Sequence, residues 1–477
     1  AVFLWDSGSS VGEISGMCKS INGCDYKQTR PFRIAAASED YSVTFFEGPP
    51  FEYKTTIDEH TNFVNTVRYA PDGSVFISGG ADGRAFIFDG KTGERLGELG
   101  LPRTAHRGAI NAISFSPDSK EVLTASADKT CKIFNLDSYE NPQCVVVFPM
   151  GRNLEDMQVG CLWQVDYLIS VSLSGHINYL DRDNPSQPSR IIKGHNKAIT
   201  ALALTEDRSS AFTGNIEGQI LKWDINNGQC EEMKGDWGHL NEIQDLQIKD
   251  GVLTSISLDE TLRLATVESA EYNSDPMVLE SQPRKVSVGP EGLSVVACLK
   301  QVYVLRDGEK VFTLKVDYET LSVAIHPRLT EVYVGTDRGI RVYNLDGDTL
   351  SESETMSKYF FGEHVLNFSP NGEYLASADN KNQVRILKLD SGNEYLGKGH
   401  SAKVNTIAWA PDSSRLATGS VDASIVIWNS EDLGDSITIR GAHGPRTDIT
   451  GVAWLDDNTL ISVGRQDCCI KKWKIHT

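Results

Sequence analysis

Residues 60–89 read HTNFVNTVRYAPDGSVFISGGADGRAFIFD, and the fold is decided by this stretch. Three short apolar runs, Val67 to Tyr69, Val75 to Ser78 and Ala85 to Phe88, are separated by Pro71-Asp72-Gly73-Ser74 and Ala81-Asp82-Gly83. Runs this short, rich in β-branched and aromatic residues and bounded by Pro, Asp and Gly, predict strands joined by tight turns. The same frame recurs along the chain. His60 precedes Phe88-Asp89 by 28 residues, His106 precedes Phe134-Asn135 by 28, His195 precedes Trp223-Asp224 by 28, and His400 precedes Trp428-Asn429 by 28. An acidic residue lies 22 positions after each of these histidines, at Asp82, Asp128, Glu217 and Asp422. His443, Asp467 and Trp473 repeat the scheme with two extra residues.

This is the signature of the WD repeat, which the chain resembles throughout. Stretches such as Ser424-Ile425-Val426-Ile427-Trp428 are apolar on both alternating faces, as suits a strand sandwiched between neighbouring sheets rather than one with a wet face. No segment sustains a helical period. The ends of the third strands fall at Trp5, Phe46, Phe88, Phe134, Leu180, Trp223, near Thr266, Val304, Tyr343, Leu387, Trp428 and Trp473, about 40 residues apart. Twelve ends exceed one propeller of four to eight blades, so the expectation is an all-β chain of two WD40 β-propellers. The Pro-rich, polar stretch Asp183 to Ser189 offers a break between them. The resemblance implies that a Ser or Thr on the middle strand links His to Asp and Trp. His60, Asp82, His106, Asp128, His195, Trp223, His400, Asp422, Trp428, His443, Asp467 and Trp473 are then structural, since a catalytic pair does not repeat from blade to blade.

Composition narrows the function classes. A net charge of -19 and a pI near 5.0 disfavour a broad phosphate-binding face, so no nucleic acid is expected as a partner. No apolar run reaches the 18 residues of a membrane span, and no membrane partner is expected. The nine cysteines fall at irregular intervals without a C-x-x-C pair, which predicts reduced thiols, no metal and no cofactor. Cys468-Cys469 reads as ordinary strand packing, with the two side chains on opposite faces. There is no H-E-x-x-H, G-x-S-x-G, G-x-G-x-x-G or Walker loop, and the Gly-rich Gly90 to Gly100 reads as a loop between blades, so the chain is not read as an enzyme.

More specific wording carries a closer resemblance. Ala1 to Gly16 (AVFLWDSGSSVGEISG), Phe45 to Lys54 (FFEGPPFEYK), Gly160 to Pro185 (GCLWQVDYLISVSLSGHINYLDRDNP) and Gly194 to Leu202 (GHNKAITAL) closely resemble the actin-interacting protein 1 family, WD-repeat proteins that assist cofilin. That family has two seven-bladed propellers. The resemblance therefore implies that residues 1–190 are the remainder of an incomplete first propeller, about four and a half blades, and residues 191–477 a complete second one. It also implies a cytoplasmic protein of the actin cytoskeleton whose partners are actin filaments and cofilin/ADF. Such a protein promotes severing and disassembly and restricts barbed-end regrowth. By this resemblance the contact surface includes Glu39, Asp40, Tyr53 and Phe63. Two departures stand out: Glu52 occupies a position where the family carries a basic residue, and Gly16-Met17-Cys18 replaces the Gly-His that opens a standard repeat. A generic WD-repeat scaffold or substrate adaptor, without actin activity, is the alternative reading.

Overall fold

A computed structural model of the chain describes residues 2–3, 6–12, 19–100, 104–235, 238–273, 275–356 and 362–476. Trp5 and Gly16-Met17-Cys18 lie outside these residues. The runs around His60 form strands Val64–Tyr69, Val75–Gly80 and Ala85–Asp89, followed by a fourth, Arg95–Glu98, all paired antiparallel in chain order. Gly90 to Gly100 is therefore not simply a loop: it carries the outer strand of its sheet. Among the described residues there are twelve such sheets, nine of four strands and one each of two, three and five. One 3₁₀ turn, Leu154–Asp156, is the sole helical element among those residues. No helix there is long and apolar enough to cross a membrane.

The core lies between sheets, and this explains the uniformly apolar strands. In Ala85–Asp89, Ala85 and Ile87 pack toward the following sheet with Ile110, Ile113 and Val122. Phe86 and Phe88, on the other face, pack toward the preceding sheet with Val43, Phe45 and Val67. In Ile425–Asn429 the same division sends Ile425 and Ile427 one way and Val426 and Trp428 the other. Each Val, Ile or Phe side chain so buried contributes roughly 1.5–3 kcal/mol, and neither face can be made polar without losing a neighbour.

A recurrent polar link ties one sheet to the next. The first strand of many sheets bulges at its second residue, as between Val64 and Thr66, Ile110 and Ala112, or Val404 and Thr406. A bulge leaves one residue outside the ladder, and here its side chain reaches the neighbouring first strand. Asn22 donates to the Val64 carbonyl (3.1 Å), Asn65 to Ile110 (3.0 Å), Asn111 to Gln158 (2.8 Å), Thr200 to Ile243 (2.6 Å), Asn405 to Ile449 (3.1 Å) and Thr450 to Ile199 (3.0 Å).

The chain divides into two compact units, Ala1–Lys193 and Gly194–Thr477. In the second, seven sheets among the described residues follow one another in a ring, and the Thr450 link joins the last to the first. Their first strands line an axial channel of about 650 Å³. In the first unit the inner strands Ile21–Tyr26, Val64–Tyr69, Ile110–Phe115 and Gln158–Gln164 succeed one another. At the last of these the bulge position is Val159, which offers no polar link, and Val159, Leu162, Val165 and Tyr167 are exposed. Uncovered apolar sheet surface means less burial to resist opening. Limited proteolysis of the 477-residue chain should therefore cut within residues 1–193 first. A first cut within residues 194–477 would contradict this.

Candidate functional site

The repeated histidines lie inside the sheets and serve them. Trp428 Nε1 donates to the Thr418 hydroxyl at 2.8 Å, that hydroxyl meets His400 Nε2 at 2.7 Å, and His400 Nδ1 faces Asp422 at 3.3 Å. His443 makes the corresponding contacts with Ser462 (2.7 Å) and Asp467 (2.8 Å), and Trp473 donates to Ser462 at 2.7 Å. His60 meets Ser78 and Asp82 at 2.7 and 3.1 Å, and His106 meets Thr124 and Asp128 at 2.8 and 3.0 Å. Giving the histidine Nδ1–H to the carboxylate lets every donor in the chain from indole to Asp find an acceptor. At His195 the pattern changes. Thr213 joins His195 (2.8 Å) to Trp223 (2.7 Å), but Nδ1 faces Asn215 (3.3 Å), while Glu217 pairs with Lys197 (2.7 Å).

Burial draws the imidazoles of His106, His239, His400 and His443 below their ordinary range, outweighing the carboxylates beside them, and takes His195 down to about 4. Burial opposes ionisation of Asp82 and Asp422, but hydrogen bonds outweigh it. His60 and backbone amides serve Asp82, and the Ser424 hydroxyl and backbone amides serve Asp422, so both carboxyls sit low. A depressed histidine means that the unfolded chain binds the extra proton first as pH falls. Stability is then complete above an ordinary histidine value of 6.5 and is lost toward about 4. Taking the second unit from pH 7 to 4.5 should cost roughly 2 kcal/mol from His195 alone, read as a lower urea midpoint. An unchanged or higher midpoint would contradict neutral buried rings.

The surface residues lie elsewhere. Glu39 and Asp40 fall in the turn between strands Arg33–Ser38 and Val43–Glu47. Asp40 accepts from the Ser42 amide (3.1 Å) and hydroxyl (2.5 Å), and its amide donates to the Ser38 hydroxyl. These bonds hold the Asp40 carboxyl below its ordinary range despite burial and match the turn role of Asp82, whose carboxylate accepts from the Arg84 amide. The position 22 residues before Asp40 is Cys18, so this sheet has no histidine to offer it. Phe63 lies at the same end, just before strand Val64–Tyr69, with its side chain 41% exposed. Tyr41 follows Asp40, is 42% exposed, and lies 5.6 Å from Phe63 between ring centroids. Tyr53 is 55% exposed but sits on the outer strand Glu52–Ile57, opposite Phe46. That places it at the far end of the hairpin from Tyr41, roughly 15 Å along the strand direction. The structure thus gathers Glu39, Asp40 and Phe63 at one end and leaves Tyr53, with exposed Glu52 beside it, at the other.

Several features are additional to the sequence expectations. His239, Ser255 and Asp259 form another histidine network, at 2.8 and 3.1 Å, where the His-to-Asp spacing is 20 rather than 22. Cys468-Cys469 lies not within a strand but in the turn before strand Ile470–Lys474, with Cys468 in the left-handed region at φ 53°. Adjacent strand residues on opposite faces is therefore the wrong description of that pair. None of the eight cysteines among the described residues is in a disulfide. No group of three or more His, Cys, Asp or Glu side chains among those residues is placed to hold a metal ion.

Comparison with known proteins agrees with this architecture. The family model described as WD domain, G-beta repeat matches residues 51–89, 98–135, 393–429 and 434–474. The chain is 41% identical to WD repeat-containing protein 1 of Gallus gallus, over 100% of this chain and 78% of the relative. It is 42% identical to WD repeat-containing protein 1 of Rattus norvegicus, over the same shares. It is 40% identical to Actin-interacting protein 1 of Drosophila melanogaster, over 99% of this chain and 77% of that protein. At 40–42% identity to these relatives along its whole length, the chain belongs to the family of WD repeat-containing protein 1 and actin-interacting protein 1.

Proposed function

We propose that this chain binds actin filaments and cooperates with cofilin/ADF to sever and disassemble them and to restrict barbed-end regrowth. The observation that carries the reading is the 40% identity, over 99% of the chain, to a protein named for its interaction with actin. The division into units Ala1–Lys193 and Gly194–Thr477 supports reading residues 1–190 as the remainder of a first propeller and residues 191–477 as a second. The contact surface is on the first unit, where Glu39, Asp40 and Phe63 cluster at one end and Tyr53 stands apart at the other, on the outer strand. Half-exposed aromatic rings beside carboxylates suit a partner that presents basic residues, because aromatic side chains supply contact area and opposite charges set orientation.

The action is binding without bond chemistry, and it needs no cofactor. A ligand shifts an equilibrium only as far as its affinities for the two states differ, so the chain must prefer the cofilin-decorated filament conformation over the bare one. Its site of action is the actin cytoskeleton of the cytoplasm. Imaging of single filaments tests the reading. Cofilin-decorated filaments should break more often, and their barbed ends regrow less, when the chain is added. Unchanged breakage and regrowth would sink the proposal and leave a WD-repeat scaffold with another partner.

A further inference from the structure

The turn that carries Glu39 and Asp40 holds an aromatic residue where its counterparts do not. In sheet after sheet the residue after the turn acid takes the left-handed conformation: Gly83 (φ 74°), Lys129 (66°), Gly218 (88°), Glu260 (61°), Ala423 (64°) and Cys468 (53°). Tyr41, at φ 73°, occupies that position after Asp40. Left-handed backbone is adopted freely by glycine and at a cost by other residues. A bulky ring there, almost half exposed, is not explained by core packing. Strain of this kind tends to persist where the side chain it presents is used.

The ring has an evident use. It leans against exposed Phe63 at 5.6 Å with the planes tilted by 43°, so two ring surfaces lie side by side. The Lys19 amine sits 5.9 Å from the Tyr41 centroid, at the outer limit of a cation–π contact, so the ring already draws a cation of its own chain, which an incoming side chain would displace. Two residues before Tyr41, Glu39 is partly exposed, and its carboxylate makes no ion pair among the described residues. Asp40, by contrast, is committed to the turn through Ser42.

We propose that Tyr41 and Phe63 form a two-ring platform that receives a lysine or arginine side chain of the filament-bound partner, with Glu39 supplying the opposite charge. This rests on the actin-filament reading above and adds Tyr41 as the anchor of the same surface. Its sequence signal is faint, because a tyrosine after an acid marks nothing until the backbone shows that glycine is the comfortable residue there.

The test uses the full chain and cofilin-decorated actin filaments in co-sedimentation, together with the thermal midpoint of each variant. Tyr41→Gly installs the residue that the turn accepts most easily, so its midpoint should stay level or rise, while its affinity for decorated filaments falls about tenfold. Tyr41→Phe keeps the ring and should bind as the parent does. If the parent binds and Tyr41→Gly binds equally well, the platform is wrong although the filament reading stands. If Tyr41→Gly weakens binding and also lowers the midpoint, the ring acts through the fold, and the platform is equally overturned. If the parent itself fails to bind decorated filaments, the filament reading fails and this inference with it.

Discussion

Trp428→Ala will lower the stability of the second unit by about 4 kcal/mol. Trp428 is 2% exposed and packs among Val384, Ile386 and Leu416 at the interface of two sheets. Gly397 and Gly399 are shaped to it: a Cβ at either would lie 2.8 or 2.7 Å from the indole ring. Truncation empties that space and also removes the donor to Thr418, leaving the hydroxyl with His400 and the Val426 carbonyl. Trp473 provides the internal comparison. It makes the same bond to Ser462 but is only partly buried, so Trp473→Ala should cost clearly less. Denaturant unfolding followed by hydrogen exchange of amides in residues 194–477 reads both, and equal losses would show that burial is not what sets the cost.

Phe63→Ala will weaken binding to cofilin-decorated filaments by about thirtyfold, close to 2 kcal/mol, with little change in stability. The side chain is 41% exposed and its recorded ring contact is with Tyr41. The backbone role at this position, accepting from the Ala81 amide, survives the substitution. A residue filling a gap between sheets would behave in the opposite way, losing stability and keeping affinity. The melting curve and the binding curve of one variant therefore separate an anchor from a filler.

The repeat was legible because its parts are chemically unlike their surroundings. His60, Asp82 and the Phe88-Asp89 end recur at fixed spacing, and Ala85 to Phe88 is apolar at every position, which only a strand covered on both faces tolerates. The links between sheets were equally present in the sequence, at five residues after His60, His106, His195 and His400, as Asn65, Asn111, Thr200 and Asn405. They were hard to see because an Asn or Thr near a turn has many uses, and the bulge that frees its side chain is a backbone event. The His239 network is hidden in the sequence for a simpler reason: two fewer residues before Asp259 break the 22-residue spacing while leaving the geometry intact. Tyr53 and Phe63, ten residues apart, look like one site in the sequence. Strand direction separates them, since one belongs to an outer strand and the other precedes an inner one.

Co-sedimentation of the chain with bare actin filaments and with cofilin-decorated filaments is the most direct measurement, reading the polymer left in the pellet as the chain is titrated. The account predicts loss of pelleted polymer with cofilin present and little change without it. Equal polymer in both titrations, with a folded chain remaining in the supernatant, would contradict it.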